Sequence, residues 1–154
     1  MACIKPLPPE RGVYVLWLEA HAELAIGGLG CWHLSGAYAY VGSAQGRSGF
    51  RRLMRHWSVA QRHRPARRWH IDFLLAAGTW CGAFIMETED PSMECWLAWA
   101  LAQRLPPAIP RFGSSDCRCP THLFAIPDVT AFHQMMAELG LRLFSDFDGV
   151  SLLP

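Results

Sequence analysis

A β-branched and aromatic run, Gly12-Val-Tyr-Val-Leu-Trp-Leu18, emerging from a proline-rich lead, constrains the fold more than any other stretch. It reads as a β-strand. A second run, Ala37-Tyr-Ala-Tyr-Val-Gly42, reads the same way and closes on a glycine, which lets a neighbour or ligand approach the backbone. Between them, residues 24–26 read as a short segment able to pair with the first strand, and residues 31–34 as a further short strand. Gly27-Gly28-Leu29-Gly30 reads as a turn, because it lacks the G-x-G-x-x-G pattern and the following helix of a nucleotide loop.

Phe50, Leu53, Met54 and Trp57 recur at helical spacing, predicting a helix over residues 50–59 whose other face carries Arg51, Arg52, Arg55 and His56. Residues 69–76 fit helix or strand equally. Residues 81–87 read as a strand, and Asp90-Pro91-Ser92 opens a helix over 93–105 that Pro106-Pro107 stops. A polar, turn-rich segment follows from Phe112 to His122, then a strand over 123–126. Asp128 caps a last helix reaching about residue 139, and Gly140 ends it. The expected fold is α+β, an α/β sandwich with a small, mostly antiparallel sheet flanked by helices. Residues 1–126 form the main domain, and the helix and tail of 127–154 pack on it.

With 51% hydrophobic and only 18% charged residues in 154, the chain excludes a disordered or acidic solvating class and suits one well-packed domain. No apolar run approaches the ~20 residues that cross a bilayer, and the first residues lack an apolar signal stretch, so the expectation is a cytoplasmic protein with no membrane partner. Cys3, Cys31, Cys81, Cys95, Cys117 and Cys119 are then free thiols, or thiolates on a metal. Seven tryptophans in so small a domain leave a homodimer open as a way to bury apolar surface.

The net charge of +1 hides a segregated distribution. From Ser43 to Ile71 there is no Asp or Glu, yet Arg47, Arg51, Arg52, Arg55, Arg62, Arg64, Arg67 and Arg68 fall there with His56, His63 and His70. Guanidinium forks onto phosphate bidentately, and Trp57 and Trp69 offer stacking partners, so the block reads as a nucleic-acid surface. The plainer alternative is a solvated helix face followed by a basic loop.

The order of motifs resembles the GIY-YIG nuclease superfamily, in particular its small Uri-type endonuclease branch, from Gly12 to about Phe124. The resemblance rests on Gly12-Val13-Tyr14, Tyr40-Val41-Gly42-Ser43-Ala44, Arg52-Leu53-Met54-Arg55-His56, Trp69-His70-Ile71-Asp72, Glu94-Cys95 and Phe112-Gly-Ser-Ser-Asp-Cys-Arg-Cys119, all in order. It implies a divalent-metal-dependent endonuclease acting on nucleic acid, DNA more than RNA, with Tyr14, Tyr40, Arg52, His56 and Glu94 as catalytic residues. Ser43, Arg47, Arg51, Arg55, Arg67, Arg68 and His70 would contact the nucleic acid. The 25 residues from Val15 to Ala39 exceed the compact spacing of many members, so an extra hairpin is expected there.

The chemistry fits those residue types. Phosphodiester hydrolysis needs an activated water, neutralisation of charge growing on the phosphate and help for the leaving oxygen. Glu94 would hold Mg²⁺ or Mn²⁺ through hard oxygen, although near a helix start it would also simply complement the helix dipole. Tyr14 is the candidate for orienting or deprotonating water and Tyr40 for fixing the phosphate, with Tyr38 on the same sheet face leaving that choice open. Arg52 would stabilise phosphate charge, with Arg55 in reserve; His56 would aid proton transfer or touch phosphate. His70 and Asp72 would share a face if they lie in a strand. Cys117, Cys119 and His122 have zinc-type donors, but a structural site wants four ligands and nothing in the sequence locates the fourth, Cys95 or Cys31, so the balance is against zinc. Two other readings stand beside the nuclease: a non-catalytic nucleic-acid-binding module and a zinc-stabilised interaction domain.

Overall fold

In a computed structural model describing residues 11–62 and 69–144, the first run extends much further than its apolar part. Strand β1 spans Gly12–Ala25 and pairs antiparallel with β2, Cys31–Ser43, in an unbroken register from Val13 opposite Ser43 to Ala25 opposite Cys31. One tight helical turn at Gly27–Leu29 joins them. The separate short strands expected at 24–26 and 31–34, and the extra hairpin, are thus the outer half of a single long hairpin.

The physical reason lies in what covers each half. Gly12 to Leu16 are buried without interruption, because helices cover both faces of the sheet there. Beyond Trp17 the pattern alternates, Leu18 and Ala20 buried against Glu19 and His21 exposed, as for a strand with one face in water. The polar residues at 19, 21 and 23 therefore do not break the strand; they occupy its wet face.

Helix α1 is Arg51–Ala60 and α2 is His70–Ala77, which resolves the ambiguous segment as helix. Strand β3, Thr79–Glu87, returns beside β1; helix α3, Met93–Ala102, and strand β4, Leu123–Ile126, follow. Helix α4 is Val129–Glu138, with the Asp128 side chain accepting from Ala131 N at 3.2 Å as its cap. Gly140, at φ +87°, lets the chain leave this helix. A short strand not anticipated from the sequence, β5 at Arg142–Phe144, pairs with β3. The result is an α+β fold with one open, wholly antiparallel five-stranded sheet, ordered β4-β2-β1-β3-β5.

Two apolar layers sandwich this sheet. Tyr14, Leu16, Leu18, Phe50, Leu53, Ile71 and Leu74 pack on the α1/α2 face. Val13, Val15, Val41, Leu97, Leu101, Phe132 and Met136 pack on the α3/α4 face, so the last helix shares the core of the preceding elements. No described helix is long and apolar enough to cross a membrane.

Candidate functional site

The two tyrosines of the hairpin come together because of register. Tyr14 lies opposite Gly42, and Leu16 opposite Tyr40, which puts both phenols on the α1/α2 face. Gly42 is required for this: a Cβ at that position would collide with the Tyr14 ring. Tyr38, on the same face, is accounted for elsewhere, since its hydroxyl accepts from Ser35 N at 2.9 Å near the far end of the hairpin.

Tyr14 is 1% exposed and its hydroxyl lies 2.8 Å from His56 Nε2. Burial, followed by the fields of Tyr40 and Glu94, pushes the Tyr14 phenol well above its ordinary range despite the opposing pull of Arg52. Burial and then Glu94 push Tyr40 up in the same way. His56 moves down to about 3, mainly through burial and next through the Arg55 guanidinium. Both phenols are therefore protonated and His56 is neutral near pH 7. His56 is 1% exposed, so it does not reach a phosphate directly, contrary to one of its two expected uses. Its Nδ1 is buried with no hydrogen-bond partner among the described residues.

Arg52 and Arg55, three residues apart on α1, have different fates. Arg52 donates from Nη1 to Ser43 O at 3.0 Å and its guanidinium lies 5.0 Å from the Trp69 ring centre. Arg55 stacks closer on that ring, at 4.1 Å, and forks onto Asp72 with bonds of 2.8 and 3.0 Å. Asp72 is fully buried and also accepts from Trp69 N at 2.9 Å, capping α2. The pairing of His70 with Asp72 expected for a strand is absent because the segment is helical; Asp72 faces Arg55 instead. Arg55 is thus engaged in an ion pair with a buried carboxylate, while part of its side chain lines a groove along α1. Trp69, one of the expected base-stacking partners, is instead stacked by these two guanidiniums.

His70 likewise serves the fold. Its Nδ1 accepts from Gly113 N at 2.9 Å, its ring packs on Phe112, and burial lowers its pKa. It anchors the loop at Gly113. Arg47 and Arg51 are exposed and form no ion pair among the described residues. Ser48, Arg51, Arg52, Met54, Arg55, Ser58 and Trp69 line this open groove along α1. Arg67 and Arg68 lie outside the described residues.

Glu94 approaches from the opposite layer. It stands in the first turn of α3, its side chain 27% exposed, with Oε1 3.3 Å from His122 Nδ1. The same Nδ1 lies 3.0 Å from Val41 O. Burial alone would lower the His122 pKa, but the Glu94 carboxylate outweighs it and raises the pKa. Tyr14, Tyr40, Ser43, Arg52, His56, Trp69 and Glu94 line one cleft of about 200 Å³, joined by Gly113, Asp116 and Cys117 from the loop before β4. Every residue expected to be catalytic lines it; of the expected nucleic-acid contacts among the described residues, only Ser43 does.

Directly behind Glu94, Cys95, Cys117, Cys119 and His122 bring one donor atom each to within 4.8 Å of one another. These four residues could hold a metal ion. The missing fourth ligand is therefore Cys95, not Cys31, which is exposed. Cys95 closes the gap in the ligand count that the sequence left open. Burial pushes the Cys119 and Cys95 thiols up. Cys117 is also penalised by burial, but bonds from Cys119 and His122 bring it below its ordinary value. Arg111, at φ +64°, donates to the carbonyls of Ser114, Cys117 and Cys119 and so folds the cysteine loop. Sequence reasoning missed this residue; only a non-glycine in a left-handed turn marks it, and that is visible in coordinates alone.

A family model described as "Domain of unknown function DUF123" matches residues 13–144, which spans both walls of the cleft. The chain belongs to this DUF123 family. No curated protein and no solved structure matches it. The matched span of the DUF123 domain runs from β1 to β5, so the hairpin, the cleft and the cysteine loop all lie within it.

Proposed function

We propose that this DUF123 protein is a divalent-metal-dependent endonuclease of the GIY-YIG type, hydrolysing phosphodiester bonds in nucleic acid, DNA more readily than RNA. The reading rests on one observation: two phenols, a guanidinium, a neutral imidazole and a carboxylate, from four separate elements, line a single polar cleft. The motif resemblance of the sequence supports it independently.

The donor set suits a hard cation. Glu94 has one oxygen oriented by His122 and the other without a hydrogen bond among the described residues, and Asp116 adds a second carboxylate to the rim. Mg²⁺ or Mn²⁺ prefers such oxygen ligands and keeps waters. When bound at Glu94, the ion would supply charge neutralisation at the phosphate and help for the leaving oxygen.

The chain's own groups do the rest. A phenol with a raised pKa is a poor standing base, so Tyr14 acts by orienting the attacking water. With its proton directed to His56 Nε2, its oxygen lone pairs face a water. As the water oxygen bonds to phosphorus and the P–O bond to the leaving oxygen breaks, the water gives up its proton to solvent and the leaving oxygen takes one up, while His56, whose imidazole resists protonation, holds the Tyr14 hydroxyl in place. This requires the neutral tautomer with hydrogen on Nδ1. Tyr40 donates to a phosphate oxygen. Arg52, held by Ser43 O and the Trp69 face, is the guanidinium beside the charge that grows on the phosphoryl oxygens. Arg47, Arg51 and the α1 groove bind flanking phosphates, so binding is salt-sensitive and weakly selective.

The test is a cleavage panel of labelled single-stranded, duplex and branched DNA and RNA with Mg²⁺ or Mn²⁺. Arg52→Ala is expected to lower the rate by about 10²–10³-fold, and Glu94→Ala to abolish cleavage, both with wild-type circular dichroism. Cleavage surviving in both folded variants would reject the assignment, and tight binding without cleavage by the wild type would leave a binding module.

A further inference from the structure

We propose that Cys95, Cys117, Cys119 and His122 bind one structural zinc ion, and that this zinc, acting through His122, fixes the position of Glu94. Three thiolates and an imidazole are soft-to-borderline donors, matching zinc and not the oxygen-loving ion of the cleft. Four protein ligands close the coordination sphere, which marks a structural site, not a second reactive centre.

The distances fit. In a tetrahedral site with bonds of about 2.3 Å to sulfur and 2.0 Å to nitrogen, ligand atoms sit roughly 3.5–3.8 Å apart. Cys117 Sγ and His122 Nε2 are 3.3 Å apart, and the full set lies within 4.8 Å. Cys119 and His122 are almost wholly buried, at 2% and 0% exposure. The cluster draws on α3 and on the loop before β4, so one ion would add a second tie between two segments already joined by the Glu94–His122 pair.

The orientation of the imidazole carries the second half of the proposal. With Nε2 turned to Cys117, Nδ1 carries the hydrogen and faces Glu94 Oε1 at 3.3 Å and Val41 O at 3.0 Å. A carboxylate on the outer nitrogen of a zinc-bound histidine is a recurrent way to orient that histidine. Here the carboxylate so engaged is the one that lines the cleft, and its neighbour Cys95 is itself a ligand. The zinc thereby anchors the backbone and the side chain of residue 94 together. His122 is a positioning residue.

The zinc part stands apart from the nuclease reading; the role given to Glu94 rests on it. Metal content of the purified full-length chain is measured by plasma mass spectrometry, with cobalt substitution read by visible absorption. About one zinc per chain is expected, with the charge-transfer and d–d bands of a tetrahedral thiolate site after cobalt exchange. A folded chain without metal, or with a disulfide among these cysteines, overturns the site. Glu94→Gln is expected to keep the zinc, whereas Cys95→Ser loses it; the reverse pattern would move the ion to the cleft and overturn the assignment. His122→Cys retains four ligands but removes the Nδ1 donor. It is expected to keep zinc and to weaken Mn²⁺ binding, measured by electron paramagnetic resonance, by about 10-fold or more. Retained zinc with unchanged Mn²⁺ affinity overturns the positioning role. Zinc present in a chain that cleaves nothing leaves the site standing and removes the nuclease reading instead.

Discussion

The cleft wall built by β1, β2 and α1 and the wall built by α3 and the cysteine loop hold their polar groups in opposite ways. Tyr14, Tyr40 and His56 are kept neutral by burial, and their geometry follows from strand register and from the missing Cβ at Gly42. Across from them, Glu94, Cys95, Cys117, Cys119 and His122 crowd ionisable donors together and are arranged around a place for positive charge. The first wall is set by packing and folds with the core. The second gathers donors that suit a cation, and on the zinc proposal its stability is tied to what the chain binds.

The comparison would be broken most severely at the one place where the packed wall relies on ions. Arg55 and Asp72 form a bidentate pair whose carboxylate is fully buried. Asp72→Asn leaves the guanidinium without its counter-charge and weakens the cap of α2, at an expected cost of about 3–5 kcal/mol. Urea denaturation of the metal-loaded protein measures this. A loss below about 1 kcal/mol, the range of an exposed pair, would show that this wall does not depend on the pair.

A smaller effect is expected from packing alone. Gly42→Ala places a methyl group against the Tyr14 ring, and overpacking of this kind costs about 1–3 kcal/mol. The ring must swing from His56, so the two effects should appear together: a lower urea midpoint and a loss of cleavage with zinc content unchanged. Full activity in this variant would mean that Tyr14 tolerates displacement, and the water-orienting role of the Tyr14–His56 pair would fail with it.

The same division explains what the sequence could reveal. Strand, helix and tyrosine motifs of the first wall are local, so residues 12 to 59 yield the hairpin's inner half, α1 and the five side chains Tyr14, Tyr40, Ser43, Arg52 and His56 that line the cleft. The outer half of β1 was harder, because alternating Glu19, His21 and Glu23 look like a loop until one face is known to be wet. Helix α2 was ambiguous because eight residues with Ile71, Asp72, Leu74 and Leu75 all buried show little amphipathic contrast. Strand β5 has only three residues, and its pairing partner β3 is far away in the chain. The second wall is assembled from distant segments: spacing located Cys117, Cys119 and His122, but Cys95 joins them only through the packing of α3. Nor could spacing on α1 tell Arg52 from Arg55, since the carboxylate that claims Arg55 comes from another helix.

The mildest test, pH, separates the walls without altering the cleft's ion-binding side. His56 has its pKa lowered from 6.5 to about 3, by burial first and by Arg55 and Arg52 besides, while Asp72 opposes the shift. Above pH 6.5 the imidazole is neutral in folded and unfolded chains alike, and it adds no pH dependence. Between pH 6.5 and about 3 the unfolded chain binds a proton that the folded chain refuses, so stability falls as pH falls, by at most about 1.4 kcal/mol per unit from this group. Any acid sensitivity of the other wall is shared by a variant that changes residue 56 alone. His56→Gln, which keeps a hydrogen-bonding group for Tyr14, is therefore expected to have a shallower decline of its urea midpoint between pH 6.5 and 4.5 than the wild type. Parallel declines would mean that the acid sensitivity belongs wholly to the charged wall and that His56 is not held neutral by its surroundings.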